Sequence, residues 1–89
     1  MLRASADWHE ASGRAMDVYT DLPGVQFYTG NWLGGEKGKD GASYEDRDAF
    51  CFETQMYPDS VNHPQFPSPV VKAGTAHVTR TSYRFYIGK

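Results

Sequence analysis

Asp48-Ala49-Phe50-Cys51-Phe52-Glu53-Thr54-Gln55-Met56 carries the strongest strand signal in the chain. Side chains of an extended chain point alternately to opposite faces. Here Phe50, Phe52, Thr54 and Met56 fall on one face, and Ala49, Cys51, Glu53 and Gln55 on the other. The pattern predicts a strand with an aromatic inner side and a polar outer side. Outward from it, the neighbouring segments carry the same signal. Leu2 to Trp8 alternates, with Leu2, Ala4, Ala6 and Trp8 expected on one side. Glu10-Ala11-Ser12-Gly13 reads as a turn in which Gly13 is free to take positive φ, and Arg14 to Thr20 resumes the extended pattern, so the two segments predict a hairpin.

Pro23-Gly24 suits the centre of a type II turn, and Val25 to Thr29 is a short β-prone run after it. Residues 34–47 are polar and carry Gly34, Gly35, Gly38 and Gly41, which predicts a mobile loop or insertion site. Residues 57–69 contain Pro58, Pro64, Pro67 and Pro69, which predicts an extended, non-helical connection. Val70 to Lys72, a turn at Ala73-Gly74 and Thr75 to Tyr86 predict a second hairpin. Its last strand alternates His77, Thr79, Thr81, Tyr83 and Phe85 against Ala76, Val78, Arg80, Ser82, Arg84 and Tyr86. Six or so antiparallel strands in one domain, residues 1–89, predict an all-β sandwich.

Composition bounds the function. The 89 residues allow one small domain, or a piece of a larger one, with a thin stability margin. Glycine (9) and proline (5) together with 15% aromatics favour strands and turns over long helices. No apolar run is long enough to span a bilayer, and Met1 to Asp7 lacks the apolar core of a signal peptide. The single cysteine, Cys51, has no internal disulfide partner, which predicts a reducing, cytoplasmic setting. Net charge is −2 and the basic residues are scattered, so neither nucleic acid nor an anionic membrane is an expected partner.

Few residues point to chemistry. Glu53 lies in the most apolar strand, where a carboxylate is either on a solvated sheet face or in a cleft that would raise its pKa toward that of a general base. Gln26 precedes Phe27-Tyr28-Thr29-Gly30-Asn31; its amide can both donate and accept, which suits a sugar hydroxyl, and an exposed strand glutamine is the plainer alternative. Trp8, Trp32 and the tyrosines could stack on sugar rings or simply fill a core. His9, His63, His77 and Cys51 lack zinc-ligand spacing, so no metal is expected. Cys51 reads as an inert buried thiol. Residues 34–39 are as glycine-rich as a phosphate loop but lack its Gly-Lys-Ser/Thr ending.

These blocks, in order, resemble the C-terminal part of the aldose 1-epimerase (galactose mutarotase) family. The resemblance runs through Ser12-Gly13-Arg14, Met16-Asp17-Val18, Pro23 to Asn31, Gly38-Lys39, Phe50 to Gln55, Tyr57-Pro58-Asp59, Asn62 to Ser68, Gly74-Thr75 and Tyr83-Arg84-Phe85. It implies part of a β-supersandwich with sugar bound on a concave sheet face. It implies that Glu53 is the general base and Gln26 a substrate ligand, with no cofactor. Mutarotation opens a hemiacetal: a base removes the anomeric hydroxyl proton while an acid protonates the ring oxygen. The family's acid histidine belongs to the part not matched, and His9, His63 and His77 do not occupy its motif position. The expectation is therefore a mutarotase-like segment that is inactive or weak alone, with a carbohydrate-binding remnant or a non-catalytic oligomerising module as alternatives. Half a sandwich exposes strand edges and an apolar face, so homo-oligomerisation is also expected.

Overall fold

Alternation of β-branched and aromatic residues is realised as strands. The computed structural model describes residues 1–88. Among them are β1 (Leu2–Trp8), β2 (Arg14–Thr20), β3 (Gly24–Tyr28), β4 (Cys51–Gln55) and β5 (Thr81–Ile87), with two 3₁₀ turns at Lys39–Gly41 and Ser60–Asn62. Every strand pairing is antiparallel. The strands form a three-stranded sheet, β1-β2-β5, and a two-stranded sheet, β3-β4. The all-β antiparallel reading therefore holds.

The first hairpin forms as its turn chemistry dictates. Gly13 takes φ 74°. Its N–H donates to the His9 carbonyl at 2.8 Å, and the His9 N–H donates to Arg14 O at 2.8 Å. A β-bulge between Arg3 and Ser5 then shifts the register, leaving Arg3 opposite Tyr19 and Ser5 opposite Val18. The bulge moves Leu2 off the face that Ala6 and Trp8 share, so the expected four-residue stripe is broken.

Other departures have equally local causes. Gly24 is not in the left-handed region; it pairs with Gln55 as the first residue of β3, which excludes the type II turn. The bend before it is made by side chains: the Leu22 N–H donates to Thr20 Oγ1 at 3.1 Å, and the Arg80 N–H donates to Asp21 Oδ1 at 2.9 Å. Within the loop 34–47, a bridge pairs Lys37 with Ser43 and the Tyr44 N–H donates to Glu36 O at 2.9 Å. In the 57–69 connection a 3₁₀ turn occupies Ser60–Asn62, in the gap between Pro58 and Pro64 where N–H donors are free. The second hairpin does not form. Gly74 does make a turn, φ 78°, with the Thr75 N–H on Lys72 O at 3.1 Å. However, β5 pairs only with β2, whose ladder ends at Thr20 opposite Thr81, so residues 75–80 have no strand beside them.

The two sheets meet through a chain of hydroxyls. Thr54 Oγ1 lies 2.8 Å from Thr81 Oγ1, which lies 3.2 Å from Thr20 Oγ1. Thr20 donates to the Arg80 carbonyl at 3.2 Å. Each hydroxyl has one proton, so donation runs from Thr54 to Thr81 to Thr20. Among the described residues only Ala15 and Val18, both on β2, are buried and apolar. Beside them lies Asp17, 2% exposed. Tyr86 Oη donates to Asp17 Oδ1 at 3.0 Å, and Arg84 Nη1 is 3.5 Å from Oδ2. Arg84 is directly opposite Asp17 in the ladder and also lies over the Tyr86 ring at 4.6 Å. The hydrogen bond to Asp17 holds the Tyr86 phenol above the ordinary tyrosine value, with burial and the nearby carboxylate charge acting the same way.

The chain leaves much surface uncovered. It exposes 7109 Å², whereas a compact monomer of its mass exposes about 5,200 Å². Its radius of gyration is 16.6 Å, against about 12 Å for a compact domain of this length.

Replacing Asp17 with Ala is expected to lower stability by about 1–3 kcal/mol in urea denaturation, because it strips a part-buried phenol of its acceptor. In an ultraviolet titration Tyr86 should ionise later than an ordinary tyrosine, and Asp17→Asn should bring it earlier. Folding raises this group, so its stabilising share is complete below the ordinary tyrosine value and fades as pH rises through the raised one.

Candidate functional site

The β3–β4 ladder brings the two sequence-predicted site residues together. Its register pairs Gln26 with Glu53. On the same face lie the pairs Gly24–Gln55 and Tyr28–Cys51, while Val25–Thr54 and Phe27–Phe52 take the opposite face. Directly opposed residues hold their Cβ atoms about 4.5–5.5 Å apart, so an amide and a carboxylate stand side by side.

The aromatic face fixes this arrangement. Phe27 stacks on Phe52 at 5.1 Å between ring centroids, and Phe50 meets Phe52 at 5.7 Å and Phe27 at 6.1 Å. Phe50 also shares a hollow with Met16 and Phe85 of the other sheet. Packing these rings on one side turns Gln26 and Glu53 outward, where both are exposed. Of the two settings open to Glu53, this chain provides the solvated sheet face.

Cys51 is half-buried rather than buried, because it lies on the polar face beside Glu53. Its thiol donates to Glu53 Oε1 at 3.1 Å. That bond is the main cause of a thiol pKa above the usual cysteine value, with desolvation and the Glu53 charge adding to it. A thiol held protonated is a weak nucleophile, and the ground for it here is this bond rather than the burial expected from the sequence.

The histidines are engaged elsewhere. His9 Nδ1 lies 2.7 Å from Ser12 Oγ in the β1–β2 turn. His63 Nε2 lies 3.1 Å from Asp59 Oδ2. His77 is exposed in the segment before β5. Trp8 and Trp32 are 56% and 85% exposed, so neither fills a core here. Among the described residues no group of three or more His, Cys, Asp or Glu side chains could hold a metal ion. Among them also, no helix is long and apolar enough to cross a membrane.

Sequence reasoning gave Asp17 no role of its own. The usable signal was Arg84 and Tyr86 at alternate positions of β5, a cation and a hydroxyl on one face awaiting an acceptor.

Two antiparallel sheets, one of them opposing an amide and a carboxylate on its polar face, define an all-β protein of the β-sandwich type. The sequence profile of the family Aldose 1-epimerase matches residues 2–84. The chain belongs to that family. It is 51% identical over 80 residues to galactose mutarotase of Mus musculus and 50% identical over 80 residues to that of Homo sapiens, in each case over 89% of this chain and 23% of the relative. Identity to the aldose 1-epimerase of Escherichia coli (strain K12) is 35% over 80 residues, covering 88% of this chain and 23% of that protein. The chain thus spans about a quarter of the length of the curated relatives it matches.

Replacing Glu53 with Gln should lower the Cys51 thiol pKa toward its ordinary value. Iodoacetamide labelling at fixed mildly alkaline pH should then run faster than in the unsubstituted chain; an unchanged pH–rate profile would remove the Cys51–Glu53 pairing.

Proposed function

We propose that the Gln26–Glu53 face is the sugar-contacting part of a hexose mutarotase site, with Glu53 as proton acceptor for the anomeric hydroxyl and Gln26 as a hydroxyl ligand. One observation carries the reading: in a chain of the aldose 1-epimerase family, these two residues oppose each other directly on an accessible sheet face. A carboxylate accepts a proton, and an amide donates and accepts at once. Together they can orient one sugar hydroxyl while removing the proton of another. No cofactor enters this chemistry.

Ring opening also needs a proton donor at the ring oxygen. His9 and His63 are tied to Ser12 and Asp59, and neither stands across the β3–β4 ladder from Glu53. These 89 residues alone therefore bind hexose weakly and accelerate mutarotation little or not at all. A galactose- or glucose-type hexose is the proposed ligand, in a cytoplasmic setting consistent with the free thiol of Cys51.

Self-association is the second part of the reading. The exposed area exceeds that of a compact monomer of this mass by an amount on the order of a standard protein interface. Phe27, Phe50 and Phe85 are 55%, 44% and 74% exposed, and a second copy of the chain would cover them.

Polarimetry of freshly dissolved α-galactose should show at most a small acceleration by this chain, and Glu53→Gln should abolish whatever is seen. Titration with galactose, followed by amide NMR, should shift the resonances of Gln26 and Glu53 before others. Size-exclusion chromatography at micromolar concentration should give a dimer or larger species; a stable folded monomer would rule out self-association.

A further inference from the structure

We propose that Tyr57 is the aromatic wall of the Gln26–Glu53 sugar face, and that the loop following β4 holds it in place. The inference rests on the sugar-site reading above and names a residue which that reading does not use.

Gly24 and Gln26 are two residues apart on β3, so their side-chain directions coincide. A Cβ on Gly24 would lie 3.0 Å from Tyr57 Cδ1 and 3.2 Å from Cε1. The tyrosine ring therefore stands over the empty side-chain position next to Gln26, on the face that also carries Glu53. Gly24 has ordinary extended backbone, so conformational freedom does not explain the glycine. Its missing side chain makes room for the ring.

The ring is braced from behind. Phe66 meets Tyr57 edge-on, with centroids 5.1 Å apart and planes at 63°. His63 packs on Phe66 at 4.9 Å, and its Nε2 is 3.1 Å from Asp59 Oδ2. The Asn62 amide donates to Asp59 Oδ1, and the Ser60 hydroxyl donates to the Tyr57 carbonyl. Tyr57 nevertheless remains 39% exposed, so part of the ring is open to a ligand.

The spacing suits one monosaccharide. Alternate strand positions lie about 7 Å apart. A pyranose can set its C–H face against the ring while its hydroxyls reach the Gln26 amide and the Glu53 carboxylate. The ligand class is a single hexopyranose, and Tyr57 supplies apolar contact rather than chemistry.

The test is an NMR titration of the full chain with galactose, comparing Tyr57→Leu, Tyr57→Phe, Gly24→Ala and Gln26→Ala with the unsubstituted chain. Tyr57→Leu should weaken binding roughly three- to tenfold. Tyr57→Phe should preserve it. Gly24→Ala, which forces the ring to shift, should weaken it with the amide and carboxylate intact. Amide dispersion reports folding, and if Tyr57→Leu is unfolded, Gly24→Ala decides alone. A folded Tyr57→Leu that binds like the original, while Gln26→Ala does not, would overturn the wall and leave the sugar face standing. An unsubstituted chain that shows no response to galactose would overturn both.

Discussion

The register of β3 against β4 is the constraint on which the site depends. Strand side chains alternate with a period of two, so a slip of one residue would exchange the two faces completely. The Phe27–Phe52 stack, with Phe50 against it, resists that slip, because a slip would break these ring–ring contacts and mix aromatic with polar side chains on both faces. The polar pair is thus held indirectly. Nothing bonds Gln26 to Glu53 in the ladder beyond backbone pairing; the apolar rings beneath decide where both point.

The larger sheet is built on a different principle. Its central strand, β2, buries a carboxylate between Ala15 and Val18. Burying a charge is costly unless it is bonded and paired. Asp17 meets both conditions through Tyr86 and Arg84, which both come from β5. The acid therefore specifies which strand sits beside β2 and in what register. The threonine chain then joins this sheet to β4 with neutral hydrogen bonds, a modest link for two layers that share little apolar contact.

Surface and core are out of proportion in this chain. Two buried apolar residues cannot by themselves offset the entropy of ordering it. The coverage of the relatives gives the same picture from another direction, since the chain corresponds to only 23% of each. Phe85, Ile87 and Leu2 lie exposed on the larger sheet.

The sequence alone determined the strands that carry strong alternation. Leu2–Trp8, Arg14–Thr20 and the Cys51–Gln55 run were legible because period-two patterning is a local property. Gln26 and Glu53 were legible as candidates from residue type and context, and the family resemblance rested on ordered blocks of sequence. The tertiary structure alone decided what no window of neighbouring residues contains. It decided that Gln26 faces Glu53, that Tyr57 stands over Gly24, that the Arg3–Ser5 bulge turns Leu2 away, and that Thr75 to Arg80 joins no strand ladder. Each of these depends on which strand lies alongside and where its ladder stops. Pairing is a contact between residues far apart in the chain, whereas alternation is written within a single segment.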